Sequence, residues 1–308
     1  MNRPITTVLA LCVLLGASLA WAQTDPVRVG SKQFTESIVL AKLIVYALED
    51  AGFSVDDRSP LGGTDVNRSA LVNAEIDVYP EYTGTALGLF FPEREFPEGL
   101  TRDAEESYEH LREIDRELND LVWLAPAPAN NTYGFAVTRD FAEEHGLETM
   151  EDFAAYVNAG GEVMMASGDE FAQRPDGIQA FEELYGFDLQ DDQLLIIAAG
   201  TPAQTLQALA EGASDTNVAM TFATVGAVVA YDFVVLTDPL GAQPIFNPTP
   251  VFRADVIDAN PEIADILNPI FTSLTNEVLQ ELNARVEVDG ENPDEVAREF
   301  LREHGFVN

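Results

Sequence analysis

Between residues 27 and 82, short apolar runs alternate with amphipathic segments of helical spacing, and that alternation leaves few folds open. "VRVG", 27–30, reads as a short buried strand. "TESIVLAKLIVYALEDAG", 35–52, puts Ile38, Leu40, Leu43, Ile44, Ala47 and Leu48 on one wide face, with Gly52 as a cap, which is the pattern of a helix. "FSVDDR", 53–58, predicts a second strand. "GGTDVNRSALVNAE", 62–75, predicts a glycine-led helix with Thr64 or Asp65 as N-cap. "IDVYPEY", 76–82, predicts a third strand running into a loop. A β-α-β-α-β order of this kind calls for a parallel sheet with helices on its faces.

The rest of the chain repeats the theme without an internal repeat. Residues 101–119 read as a charged amphipathic helix, and 122–138 as a strand, a proline-rich crossing and another strand. Further strands are predicted at 163–167, 194–200, 217–222 and 233–238. A helix at 201–212 has Thr201 as cap and Pro202 in its first turn. Residues 239–252 read as a second proline-rich crossing, and two helices near 261–284 and 293–304 close the chain. Two crossings that bracket a central α/β segment predict two lobes, residues 25–130 plus 240–308 and residues 131–239. Ligands of open α/β sheets lie at the carboxyl ends of strands, so a site is expected in the cleft between the lobes.

Residues 1–22 read as a cleavable signal peptide. Arg3 supplies the positive region, 8–20 the short apolar core, and "AWA", 20–22, the small-residue cleavage site. Cleavage after Ala22 leaves 15 basic residues against 53 acids, a charge of −38, and removes Cys12, the one cysteine. A cysteine-free exported chain has no disulfide, thiolate metal site or cysteine nucleophile, and suits a bacterial periplasm. The acidity excludes nucleic acid and anionic lipid as partners, because both need basic patches. It also exceeds what solubility requires and points to a surface adapted to high salt, where charge repulsion is screened.

Enzyme motifs are missing. His110, His145 and His304 sit in charged contexts without metal-ligand spacing, and there is no G-x-S-x-G, P-loop, G-x-G-x-x-G or EF-hand loop. No catalytic residue, metal ligand or cofactor site is expected. What stands out instead is a set of polar and aromatic residues just after predicted strands: Lys32, Tyr82, Thr83, Thr85, Tyr133, Arg174, Phe222 and Phe246. Lys32 is the more notable because the chain has only two lysines, the other being Lys42.

"VRVGSKQFTES", "LGGTDVNRSALVNAEIDVYPEYTGTAL", "NNTYGFAV", "EFAQRPDGIQAFEELYGF" and "PIFNPTPVFR" resemble the substrate-binding proteins of ABC-type osmoprotectant importers. The resemblance runs over roughly residues 26 to 307, in the same order, and is strongest to the enteric osmotically inducible branch, known for poor betaine affinity. It implies a two-lobed periplasmic binding protein of type II with two crossover hinges. It also implies a glycine betaine or choline type ligand, and a permease and ATPase as partners. The family's aromatic cage carries over as Tyr82, Tyr133, Phe222 and Phe246, the last two being commonly tyrosine in the family. Its carboxylate-holding residues carry over as Lys32, Thr85 and Arg174.

Physical chemistry supports this transfer. A trimethylammonium group has no N–H, so aromatic faces rather than hydrogen bonds recognise it. Arginine grips a carboxylate through two hydrogen bonds, and lysine adds a point charge. The expected molecule is a monomeric, non-enzymatic receptor for a small zwitterion. Choline, carnitine, a sulfonium osmolyte or an amino acid stand as other ligands, and sensing as another role.

Overall fold

The computed structural model describes residues 25–97 and 99–308; the signal peptide read at 1–22 lies outside them. The strands are β1 (Val27–Val29), β2 (Val55–Asp57), β3 (Val78–Tyr82), β4 (Leu121–Trp123), β5 (Tyr133–Thr138), β6 (Met165–Gly168), β7 (Leu194–Ile197), β8 (Val218–Phe222), β9 (Phe233–Val235) and β10 (Pro248–Arg253). They form two five-stranded sheets, in the orders β2-β1-β3-β10-β4 and β7-β6-β8-β5-β9. In the first sheet β1 runs parallel to β2 and β3, while β10 is antiparallel to β3 and β4. In the second, β6 is parallel to β7 and β8, and β5 is antiparallel to β8 and β9. Each sheet is therefore a parallel core completed by a strand adjoining a chain crossing. This is the two-lobed α/β architecture that the alternation predicts.

Three elements differ from the sequence expectation. The helix Thr83–Leu89 follows β3 directly, where a loop was expected. Its Thr-Gly-Thr start has weak helix propensity, and tertiary contact decides: a Cβ on Gly84 would meet Ile245 O at 2.8 Å and the Phe246 ring at 2.9 Å. Residues 248–252, expected to be part of a crossing, lie in β10. Pro248 and Pro250 lack N–H donors, yet their carbonyls accept from the Ala127 and Leu124 amides at 2.8 and 3.0 Å. Pro250 also stands opposite Pro80, so the two missing donors fall at one register position. The helix expected at 261–284 is two, Glu262–Thr272 and Asn276–Glu287, restarted by Thr275, whose hydroxyl accepts from the Val278 amide.

Helices cover the sheets and pin the strand ends. The helix Thr35–Asp50 buries Val39, Leu40, Leu43, Ile44 and Leu48 completely or nearly so. In the second lobe, Phe135 of β5 is fully buried and meets the rings of Phe153, Phe181 and Phe187 at 5.4, 4.9 and 6.3 Å. Among the described residues no helix is long and apolar enough to cross a membrane. Truncating Phe135 to alanine removes one ring from all three contacts. Urea unfolding should show a loss of about 3–5 kcal/mol, and a loss under about 1 kcal/mol would contradict this packing.

Candidate functional site

Strand register builds the site. Tyr133 opens β5 directly across from Phe222, which ends β8. Tyr82 ends β3 across from Pro248 of β10, and Phe246 lies two residues before that strand starts. Four rings at or near the ends of strands in two different sheets thus line one cavity, whose free space for the centre of a water-sized sphere is about 80 Å³. Lys32, Tyr82, Thr85, Tyr133, Arg174, Phe222 and Phe246, the seven residues carried over from the family resemblance, all line it, whereas the Thr83 hydroxyl donates to Ile245 O at 2.9 Å and is not on its wall. Thr85 enters from the first turn of the helix Thr83–Leu89 and is buried.

The rings touch one another. Tyr133 lies edge-on to Phe222 at 4.8 Å and to Phe246 at 5.7 Å. The second of these contacts joins the two lobes. Phe34 continues the ring set, 5.9 Å from Tyr82 and 5.4 Å from Phe222, and Phe171 lies 4.7 Å from Tyr133. Sequence reasoning passed over both. Phe34 sits two residues past Lys32 in an unpatterned stretch, and Phe171 reads as a core position. Aromatic pairs of this geometry are worth about 0.5–1.5 kcal/mol beyond the area they bury.

Both cations of the cavity already have acidic partners. Lys32 Nζ donates to Glu81 Oε1 at 2.6 Å and stands 5.2 Å from the centre of the Tyr82 ring. Glu81 is fully buried and also accepts from the Tyr79 hydroxyl and the Tyr82 amide, at 2.9 and 2.7 Å. Arg174, buried, spans both oxygens of Asp176, with Nε to Oδ1 at 2.7 Å, and its Nη1 reaches Glu170 at 3.2 Å. Its guanidinium also stands 5.5 Å from the centre of the Tyr133 ring. Glu170 in turn accepts from the Thr64 hydroxyl at 2.9 Å, a contact between the lobes. The sequence held one signal for these partners: Glu81 and Asp176 adjoin the very motifs, "PEY" and "RPD", that carry Tyr82 and Arg174.

Behind the rings, Glu36 fixes the site's shape. It is buried on the inward face of the helix Thr35–Asp50 and accepts from the Tyr82 hydroxyl at 2.9 Å, Asn131 Nδ2 at 2.8 Å and Asn283 Nδ2 at 3.0 Å. Burial pushes its carboxyl above the ordinary range, against the pull of these donors. Burial, reinforced by the Glu36 charge, holds the Tyr82 phenol well above its usual value, and burial likewise raises Tyr133. Both rings are neutral at physiological pH. Near them the two crossings lie side by side: the Asn131 amide donates to Phe246 O at 3.0 Å, and the Phe246 amide to Asn130 Oδ1 at 2.8 Å. Among the described residues no three His, Cys, Asp or Glu side chains are grouped to hold a metal.

Two α/β lobes joined by paired crossings, with a ring-lined cavity between them, define a solute-binding protein. Residues 25–303 match the substrate binding domain of ABC-type glycine betaine transport systems, and the chain belongs to that family. It is 41% identical over 298 residues to the glycine betaine-binding protein YehZ of Escherichia coli K12, covering 97% of each chain. It is 33% identical over 318 residues to the glycine-betaine-binding protein of Pseudomonas aeruginosa, covering 100% of this chain and 97% of that one. The solved apo YehZ structure from Escherichia coli superposes with a TM-score of 0.69 at 40% identity, over 92% of this chain and 100% of that one. Members of this family bind a small solute for a transporter and are not enzymes.

The Lys32–Glu81 pair gives a direct test of the site's electrostatics. Lys32→Ala leaves a fully buried carboxylate without its cation and should cost about 3–5 kcal/mol in denaturant unfolding. The double variant Lys32→Met, Glu81→Gln removes both charges and should recover at least about half of that loss. A double variant as unstable as the single one would refute the pairing.

Proposed function

We propose that this protein is a periplasmic receptor that captures glycine betaine or a related quaternary-ammonium osmoprotectant and delivers it to the permease and ATPase of an ABC importer. One observation carries the reading: aromatic rings from both lobes converge on one cavity. Such a cavity suits a cation that offers no N–H, and each ring face contributes about 0.5–2 kcal/mol. Tyr82, Tyr133, Phe222 and Phe246 form the cage, with Phe34 as a fifth wall. Lys32, Thr85 and Arg174 hold the ligand's carboxylate.

Residues 25–130 plus 240–308 form one lobe of the receptor and residues 131–239 the other. Contacts from both to one ligand favour the closed arrangement. Residues 1–22 direct export and are removed, and the receptor works as a monomer that docks on its permease.

A second reading keeps the cage and changes the ligand's charge. Because Glu81 and Asp176 already occupy Lys32 and Arg174, a ligand carboxylate has to compete with them, whereas choline does not. Calorimetric titration of the mature protein in high salt separates the two. Under the first reading betaine binds, Tyr82→Ala and Phe222→Ala each weaken it roughly 2- to 30-fold, and Arg174→Ala weakens betaine far more than choline. Under the second, choline binds more tightly than betaine in the wild type, and Arg174→Ala leaves choline affinity unchanged. A folded protein that gives no heat with betaine, choline or carnitine overturns both.

A further inference from the structure

Behind the ring cavity lies a smaller one whose polar side chains are two carboxylates, three hydroxyls and one amide. Its walls include Glu36, Thr224, Asn283 and Glu287, and it shares Phe34 and Phe222 with the larger cavity. No lysine, arginine or histidine lines it, so two carboxylates face it without a cation. Thr224 and Asn283 are 0% and 1% exposed. Among the described residues, Asn283 Oδ1 and Glu287 Oε2 have no hydrogen-bond partner; the Thr224 hydroxyl makes no bond of good geometry, although it lies near enough to Glu36 to pull that carboxyl down. The orientation of Asn283 is settled by its amide nitrogen, which donates to Glu36 Oε2 at 3.0 Å and to Thr224 O at 2.9 Å. Its oxygen is therefore left over by construction. Bare buried oxygens of this kind are costly, and native structures give them partners.

The unmet demand is for positive charge bound by oxygen. Burial pushes the Glu287 carboxyl up to about 7, with the nearby Glu36 charge adding to the shift. The free space, about 10 Å³ for the centre of a water-sized sphere, takes one small particle. Six oxygen-bearing side chains line this wall, Thr35, Glu36, Thr201, Thr224, Asn283 and Glu287, and a particle with no room for retained waters is not magnesium. A set without imidazole or thiolate also disfavours zinc, copper and nickel.

We propose that this cavity binds a single monovalent metal cation of sodium's size through Glu36, Glu287, Asn283 and Thr224. Three of these residues stand on helices of the first lobe, Thr35–Asp50 and Asn276–Glu287, whereas Thr224 follows β8 of the second. The ion is thus shared between lobes and favours the arrangement that brings Thr224 to the two carboxylates. It is a site separate from the ring cavity and needs no organic ligand.

Thermal unfolding of the mature protein in sodium, potassium or caesium chloride at one ionic strength tests the site. Sodium should raise Tm by roughly 3 °C for each tenfold increase above its dissociation constant, and caesium should not. The difference in 23Na relaxation between wild type and Glu287→Gln reports occupancy directly, over the background of ions attracted by the acidic surface. Glu287→Gln should abolish the sodium-specific rise, and Thr224→Val should do the same if the first variant does not fold. Equal Tm in all three salts would mean that water or a proton fills the cavity, overturning the proposal. So would a sodium-specific rise that survives both substitutions. Neither readout involves a quaternary ammonium, so either result leaves the ligand assignment to its own test.

Discussion

The buried Glu36 carboxylate is the constraint on which the rest of the site depends. It sits in the first turn of the first helix, where a charged group would ordinarily face water, and is closed in on every side. Leaving it bare would be prohibitive, so three neighbours must donate to it. One is the Tyr82 hydroxyl, which orients a ring of the cavity wall. The second is Asn131, in the crossing between lobes. The third is Asn283, on a helix contributed almost 250 residues later. One carboxylate thereby holds a ring of the cavity, a crossing and the helix Asn276–Glu287 in a single geometry. The same demand for satisfied oxygens explains why the hinge region is rich in asparagine, whose side chain serves as donor and acceptor at once.

A chain with 53 acids draws cations by charge alone. The cavity is arranged otherwise. Its carboxylates are spent on Lys32 and Arg174, and the surface that remains is aromatic. Carboxylates in water would attract any cation, sodium above all, in a saline medium. Ring faces in a dry cavity distinguish a large, poorly hydrated ammonium from a small, strongly hydrated ion. Glu81 and Asp176 thus offset the two positive charges of the cavity wall.

Much of this was legible in the sequence. The period of the apolar residues between 27 and 82 dictated the parallel core of the first sheet, and the two proline-rich stretches pointed to an α/β fold in two lobes. Family resemblance then picked seven residues that the structure gathers into one cavity. What escaped had weak local signals. Thr83–Leu89 is helical because Gly84 lets it press against Ile245 and Phe246, a contact no propensity encodes. Pro248 and Pro250 discouraged a strand that forms because their carbonyls, not their amides, make its hydrogen bonds to the chain after β4. Continuous apolar spacing hid the break at Ser273–Thr275. Phe34, Glu36 and the partners of Lys32 and Arg174 act only through neighbours distant in sequence, which local pattern does not report.

The two crossings are hydrogen-bonded to each other rather than running separately through solvent. Joined strands bend and twist as a ribbon but do not slide past one another. The lobes are consequently left with something close to a single mechanical coordinate, like a book on its spine. A membrane partner that touches one point on each cover can read the whole state of the receptor from one length.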